Sequence, residues 1–250
     1  DVAGSLEIVD IETRSIVHSI DVGGQPDSVA VSPDGHYAVV VIENERDEDL
    51  GDGAPPQLPA GELIIVTLDG APTTWTTRSV ELTGTADLYP GDPEPEYVDI
   101  NRNNMAVVSL QENNHLALVD LVSGEVVRHF SAGSVDLTDI DDDNESPALI
   151  SLSASQDDVP REPDGVAWIN NEYFATADEG DLDGGSRGFT VFNLQGEVVY
   201  TSGNTLDHMA VRLGHYPDDR SDNKGNEPEN VEVGVYGNER YLFVASERTS

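Results

Sequence analysis

Gln25-Pro26-Asp27-Ser28-Val29 is the first of four copies of one short phrase, and this repeat decides the fold. The other copies are Glu-Pro-Glu-Tyr-Val at residues 94–98, Glu-Pro-Asp-Gly-Val at residues 162–166 and Glu-Pro-Glu-Asn-Val at residues 227–231. Their prolines follow one another at intervals of 69, 68 and 65 residues. A nearly constant period of this length is typical of repeat architectures, in which each repeat forms one structural unit.

Each copy of the phrase leads into a short strand and then into a second, more apolar strand that ends at an acidic residue. The predicted second strands cover residues 37–42, 105–110, 173–177 and 241–245. The acidic residues that follow are Glu43, Glu112, Glu179 and Glu247, which lie 17, 17, 16 and 19 residues after their prolines. This spacing indicates that the four glutamates occupy equivalent positions in four units.

Two further strands separate each copy of the phrase from the next. They are predicted at residues 62–68 and 77–82, at 116–121 and 125–130, and at 189–194 and 197–201. Turn sequences such as Ser32-Pro33-Asp34-Gly35 lie between strands, and no segment shows the 3.6-residue period of a helix. Four short antiparallel strands per repeat predict an all-β fold, a β-propeller of four-stranded blades. A β-sandwich also contains many short strands, but it does not account for the repeat.

The two ends of the chain leave the number of blades open. Residues 6–11 and 16–22 are predicted as third and fourth strands, and residues 231–236 and 241–245 as first and second strands. Joined, the two halves complete a fourth blade and a closed four-bladed ring. The alternative is a partial propeller from a larger ring of about seven blades. In both cases residues 1–250 are predicted to form a single propeller domain or part of one.

The charge of the chain restricts its partners. The formal net charge is −37, from 49 acidic and 12 basic residues, of which only Lys224 is a lysine. This excess repels polyanions, so it disfavours nucleic acids and anionic membranes as partners. It fits bound Ca²⁺ or a halophilic source in which salt screens self-repulsion, and it equally fits a well-hydrated surface. The chain has no cysteine, so disulfides and thiolate sites are excluded.

No targeting or membrane segment is visible in the sequence. There is no run of about 18 apolar residues, so no transmembrane segment is predicted. The first residue is Asp1, not Met, and no signal peptide is present. We therefore expect a mature or excised segment from which any signal peptide is already absent.

Several runs in the later part of the chain resemble a known family. They are residues 177–181 (Ala-Asp-Glu-Gly-Asp), 186–192, 200–204 and 219–229, together with Gln-Glu-Asn-Asn at residues 111–114. These runs are similar to the choice-of-anchor I domain, a family of bacterial and archaeal surface propellers also labelled alkaline-phosphatase-like or phytase-like. The resemblance implies a secreted or surface-attached, extracellular propeller. Members of the family are longer than this chain, which favours the partial ring.

Acidic residues are the best candidates for chemistry. Glu43, Glu45, Asp47 and Asp49 alternate, so an extended strand would place all four on one side. The run Glu179-x-Asp181-x-Asp183-Gly184 has the oxygen spacing of the first half of a Ca²⁺ loop, although Thr190 replaces the bidentate glutamate of an EF-hand. The predicted metal ligands are Glu43, Glu45, Asp47, Glu112, Asp178, Glu179, Asp181, Asp183, Glu227, Glu229 and Glu247. The alternative is a set of separate, solvated acidic loops.

Two other segments are predicted to be exposed. Residues 136–145 contain Asp139, Asp141, Asp142 and Asp143, and their composition resembles a Ca²⁺ loop, but Asn144 stands where such a loop needs glycine. We therefore predict a solvated insertion there. Residues 50–60 are rich in glycine and proline and are predicted to form an exposed loop.

Phosphate chemistry would require cations beside the acidic residues. The candidates for binding phosphate are Arg46, Arg187, Arg220, Lys224 and Arg248, and Arg161 also lies near a repeat phrase. With Ca²⁺ they could hold a phosphate ester while the metal polarises a water molecule. Alternatively, they pair with neighbouring carboxylates. The histidines show neither H-x-H nor H-E-x-x-H spacing and no P-loop occurs, so zinc, nucleotide and haem are not expected.

Two functions from different classes remain. One is a non-catalytic binding or scaffold module, stabilised by Ca²⁺, with a surface or matrix partner. The other is a Ca²⁺-dependent hydrolase of small phosphoesters, with catalytic residues unknown. The scarcity of basic residues favours the scaffold, and the labels of the family favour the hydrolase.

Overall fold

The computed structural model describes residues 4–47, 49–51 and 53–249. Within them the strands are β1 Gly4–Asp10, β2 Ser15–Gly23, β3 Gln25–Val31, β4 Tyr37–Glu43, β5 Glu62–Thr67, β6 Thr76–Glu81, β7 Pro95–Ile100, β8 Met105–Leu110, β9 His115–Asp120, β10 Glu125–Ser131, β11 Ser134–Ile140, β12 Ala154–Pro160, β13 Val166–Trp168, β14 Tyr173–Asp178, β15 Gly188–Asn193, β16 Val198–Thr201, β17 Pro228–Tyr236 and β18 Glu239–Ser246. Helix α1 covers Thr205–Leu213, and short 3₁₀ helices cover Pro72–Thr74 and Asp218–Arg220.

Three antiparallel four-stranded sheets form the body of the fold. Their strand orders are β3-β4-β5-β6, β7-β8-β9-β10 and β13-β14-β15-β16, and we call them sheets I, II and III. Each follows the chain order, so that strands consecutive in the chain pair with each other. The predicted all-β class and the four-stranded antiparallel units of the first three repeats are confirmed. The pairs β1-β2, β11-β12 and β17-β18 form two-stranded sheets.

Neighbouring sheets pack face to face in chain order. Val39 and Leu63 of sheet I share a core with Val98 and Val108 of sheet II. A second core joins sheets II and III and contains the stacked rings of Phe174 and Phe192, whose centroids are 5.7 Å apart. Because strands such as β4 and β8 are covered on both faces, they are continuously apolar instead of alternating.

The first strands of the sheets lie beside one another. Strand β3 contacts β7, β7 contacts β13, and β13 contacts β17. Between β7 and β13, the Trp168 backbone amide donates to Asp99 Oδ2 at 2.7 Å, and the indole Nε1 donates to the Asp99 carbonyl at 3.1 Å. The Gly165 amide donates to the Glu229 carbonyl at 3.0 Å. The four repeat phrases are thereby brought together at one end of the sheets.

The two ends of the described chain do not pair with each other. Strands β1 and β2 pack on sheet I through Leu6, Ile20 and Val22, whereas β17 packs on sheet III through Val231 and Val233. Since β1-β2 and β17-β18 are separate two-stranded sheets, the fourth four-stranded sheet expected from joining the ends is not formed by the described residues.

Two elements differ from the sequence prediction. Helix α1 was not expected; it spans only nine residues and ends at Gly214, whose φ of 78° lies in the left-handed region. Strand β11 occupies much of the predicted insertion at 136–145 and pairs with β12, although both strands are rich in aspartate and serine. Their pairing is a tertiary feature that propensity opposes. No helix in the described part of the chain is long and apolar enough to cross a bilayer.

Candidate metal centre

The third residue of every repeat phrase is acidic, and the adjacent first strands bring these residues together. They are Asp27, Glu96, Asp164 and Glu229. Carboxylate oxygens of Asp27, Glu43 and Glu96 all lie within 4.8 Å of one another. We call these three residues the first acidic cluster. It combines β3 and β4 of sheet I with β7 of sheet II.

The first acidic cluster lines a polar cavity of about 300 Å³ between sheets I and II. The wall of this cavity consists of Gln25, Asp27, Glu43, Glu45, Arg46, Glu96, Gln111, Glu112 and Asp181. Four of the predicted metal ligands, Glu43, Glu45, Glu112 and Asp181, are among them. The structure therefore brings the acidic ends of the second strands of two repeats to one cavity.

The carboxylates at this cavity resist ionisation. Burial, followed by the charges of Glu43 and Asp27, raises the pKa of Glu96 to about 10. Burial also raises the pKa of Glu43 to about 7 and that of Glu112 to about 8, with repulsion by Asp27 and Asp181 respectively as the next cause. Carboxyl groups with raised pKa values are either protonated at neutral pH or stabilised by a cation.

Arg46 is the basic side chain in the wall of the cavity. Its Nε donates to Asp181 Oδ2 at 3.1 Å and lies 3.8 Å from Glu112 Oε1, and its Nη1 donates to the Gly53 carbonyl at 2.7 Å. No lysine or arginine of the described chain makes an ion pair within 4.0 Å of Asp27, Glu43 or Glu96. The charge of the first acidic cluster is therefore not balanced by direct pairing.

A second acidic cluster lies beside the fourth repeat. Glu179, Glu227 and Glu247 bring carboxylate oxygens within 4.8 Å of one another, and Gln111 Nε2 donates to Glu179 Oε2 at 3.0 Å. This cluster has protein cations. Arg248 lies 3.1 Å from Glu227 and 3.0 Å from Glu247.

Arg220 and Lys224 complete the surroundings of the second acidic cluster. Arg220 donates to Glu227, and Lys224 Nζ donates to the Gly180 carbonyl at 2.7 Å. Because arginines neutralise its buried member, this cluster is less suited to a metal than the first.

Three predicted ligands are placed away from both clusters. Strand β4 ends at Glu43, so the alternation does not continue, and the backbone amide of the exposed Asp47 donates to Gln57 Oε1. Asp178 is fully buried and accepts hydrogen bonds from the hydroxyls of Thr176, Ser186 and Thr190 at 2.6, 3.0 and 2.6 Å. Asp183 is exposed and is not a member of either cluster.

The predicted half Ca²⁺ loop has a different role. Its backbone amides at Asp181, Leu182 and Asp183 donate to the Glu162 carboxylate at 2.7, 2.9 and 2.8 Å. A loop whose amides converge on an anion is an anion-binding nest, not a cation site. Asp181 pairs with Arg46 instead of sharing a ligand set with Asp183.

The predicted phosphate ligands are engaged with the protein. Arg187 is fully buried, and its Nη1 and Nη2 donate to the carbonyls of Asp141 and Ser221, both at 2.8 Å. Arg161 is also buried and donates to Thr190 Oγ1 and the Ala132 carbonyl. Together with the contacts of Arg46, Arg220, Lys224 and Arg248, this matches the alternative in which basic residues relieve acidic repulsion.

Residues 184–188 have the Gly-x-Ser-x-Gly spacing of a nucleophile elbow, a motif that sequence reasoning missed. Ser186 is 2% exposed, and its hydroxyl donates to Asp178 at 3.0 Å. A strand, β15, begins at Gly188, whereas an elbow leads into a helix. The match is therefore one of spacing alone.

Sequence reasoning missed Asp27, Glu96 and Asp164. Burial, then repulsion by Glu179 and Glu229, raises the pKa of Asp164 to about 8. The repeat could have identified all three, because they occupy the same position of the repeat phrase as Glu229, which is a predicted metal ligand.

Comparison with known proteins agrees with the resemblance noted in the sequence. The family model of the choice-of-anchor I domain matches residues 1–184 and 182–250, and so covers the whole chain. No curated protein matches the chain.

Proposed function

We propose that this chain, which belongs to the choice-of-anchor I domain family, is a Ca²⁺-binding scaffold module. Membership of the family indicates a surface-associated, extracellular protein. In the proposed role, Ca²⁺ binds at the first acidic cluster and holds the repeats in a rigid arrangement. The rigid surface then binds a surface or matrix partner.

The observation that carries this proposal is the convergence of three carboxylates from two repeats, none of which forms an ion pair within 4.0 Å with a lysine or arginine in the described part of the chain. Their oxygens lie within 4.8 Å of one another, and hard oxygen ligands suit Ca²⁺. Asp27 and Glu43 belong to sheet I and Glu96 belongs to sheet II, so an ion would cross-link two sheets. Binding to the folded state alone stabilises that state.

The arrangement of the sheets supports a partial propeller. Sheets I to III follow one another in chain order with their first strands adjacent, as blades do around an axis. The two-stranded sheets β1-β2 and β17-β18 lie at the two ends of this series and do not join into one four-stranded sheet. We therefore favour an arc of a larger ring over a closed four-bladed ring.

The hydrolase has less support than the scaffold. A phosphoester site requires cations directed at the substrate. Arg187 is fully buried, and the other predicted phosphate ligands donate to carboxylates or carbonyls of the chain. The acidic surface also fits a saline medium, in which self-repulsion is screened.

Calorimetric titration with Ca²⁺ in high NaCl tests the scaffold proposal. We expect saturable binding by the wild type, which Glu96→Gln weakens by roughly tenfold or more because one charged ligand is lost. Glu125→Gln, at an exposed position of β10, is the matched control and should bind like the wild type. Phytate and p-nitrophenyl phosphate should not be turned over.

Two results would contradict the proposal. If the wild type binds no Ca²⁺, the cluster serves solvation. If Ca²⁺-dependent turnover is found and Glu96→Gln abolishes it, the protein is a hydrolase.

A further inference from the structure

The first residue of the repeat phrase is a buried glutamate in three of the four repeats. Glu94, Glu162 and Glu227 are 0%, 1% and 0% exposed. In the first repeat the position is held by Gln25, which is exposed and donates to Glu45 at 3.0 Å. A carboxylate that is removed from water requires hydrogen bonds or a cation.

Two of the three buried glutamates receive such partners from the protein. The Glu162 carboxylate accepts backbone hydrogen bonds from residues 181–183. The Glu227 carboxylate pairs with Arg220 and Arg248. In these two repeats, the buried carboxylate is therefore stabilised by N–H groups or by positively charged side chains around it.

Glu94 differs from its two equivalents. By hydrogen-bond geometry neither of its carboxylate oxygens has a partner in the described structure, although the Asn44 amide lies close by, and Asp92 Oδ1, also fully buried, has none. Asp92 lies close enough to Glu94 for its charge to act on that carboxylate.

The backbone around this pair is firmly held. The Glu94 amide donates to Asn113 Oδ1 at 2.9 Å, and Asn113 Nδ2 donates to the Asp92 carbonyl at 3.0 Å. The Gln57 amide donates to Asp92 Oδ2, the other oxygen of that carboxylate. Both carboxylate oxygens of Glu94 and Oδ1 of Asp92 are thus held in buried positions without a hydrogen bond of good geometry.

We propose that Asp92 and Glu94 bind a Ca²⁺ ion in a buried site that is separate from the first acidic cluster. The ion supplies the positive charge that amides supply to Glu162 and arginines supply to Glu227. Water or backbone carbonyls complete the shell, since Ca²⁺ takes six to eight oxygens. This site does not depend on the proposed function, because neither residue belongs to the first acidic cluster.

Glu94→Gln and Glu162→Gln form a matched pair for the test, since the two residues are equivalent in the repeat. We expect Glu94→Gln to bind one Ca²⁺ fewer than the wild type by calorimetry in high NaCl. In EDTA it should melt about 2–4 °C or more above the wild type, because the unpartnered carboxylate is gone. In saturating Ca²⁺ it should melt below the wild type, because the stabilising ion is lost.

Glu162→Gln should keep the wild-type stoichiometry and melt lower in both media, because it weakens hydrogen bonds and not a metal site. Should Glu94→Gln fail to fold, Asp92→Asn provides the same comparison. An unchanged Ca²⁺ stoichiometry in the folded variant would overturn the proposal. Glu96→Gln separates the two sites: if only the Glu94 variant loses an ion, the proposed function fails and this site stands.

Discussion

Replacing Arg187 with leucine is expected to destabilise the fold by about 3–5 kcal/mol, because it breaks a buried ion pair from one side. Arg187 and Asp207 are both fully buried, with Nη1 lying 3.4 Å from Asp207 Oδ2. Without the guanidinium, Asp207 keeps hydrogen bonds from Asn226 but loses its buried cation. The carbonyls of Asp141 and Ser221 also lose their donors.

The effect should be large because Arg187 joins three parts of the chain. It connects the segment after β11 through Asp141, helix α1 through Asp207, and the segment before β17 through Ser221 and Asn223. Urea unfolding measures the change in the free energy of unfolding. Arg212→Leu, on the exposed side of the same helix, is the control and should stay within about 0.5 kcal/mol of the wild type.

A stable Arg187→Leu variant would contradict this structural role. If such a variant kept its free energy of unfolding and lost phosphate binding, Arg187 would return to the role that the sequence first suggested for it.

Most strands could be predicted because their signal is local. Strand β8 was predicted at the residues where it occurs, since an apolar run between turns identifies a strand covered on both faces. Strands β11 and β12 were missed because residues such as Asp136 and Asp157 favour loops, and only their mutual pairing makes them strands. Helix α1 was missed because nine residues give a weak periodic signal.

The site was predicted in part because the repeat is visible and the partners of each side chain are not. Glu43 and Glu112, which share a position in the repeat, line one cavity, whereas Glu179 and Glu247 lie in the second acidic cluster. Spacing in the sequence could not distinguish Asp178, which accepts hydrogen bonds from three hydroxyls, from Glu43, which makes no ion pair within 4.0 Å with a lysine or arginine of the described residues. Nor could it reveal the amides around Glu162, because backbone donors leave no trace in side-chain patterns. Whether an acidic residue is stabilised by hydrogen bonds, by an arginine or by a bound cation depends on its neighbours in the tertiary structure.

Lowering the pH from 9 to 6.5 in EDTA is expected to stabilise the metal-free protein by at least about 2 kcal/mol. The pKa values of Glu43, Glu112 and Asp164 are raised to about 7, 8 and 8 by burial and by neighbouring acids. Burial raises the pKa of Glu94 and Glu96 to about 10, so both stay largely protonated in the folded chain across this range. The folded chain therefore holds more protons than the unfolded chain. The free energy of unfolding then rises as the pH falls through the folded-state values, and the gain is complete near pH 4.5.

The window stops at pH 6.5 because His115 acts in the opposite direction below it. Burial, followed by the nearby His129, lowers the pKa of His115 to about 4, so stability is lost between pH 6.5 and 4 as the unfolded chain takes up this proton. Urea unfolding at constant NaCl measures the slope. Saturating Ca²⁺ should flatten or reverse it, since the ion favours ionised carboxylates, and Glu43→Gln should flatten it without Ca²⁺. Loss of stability on acidification in EDTA across pH 9 to 6.5 would mean that these carboxylates are ionised and stabilised without a metal.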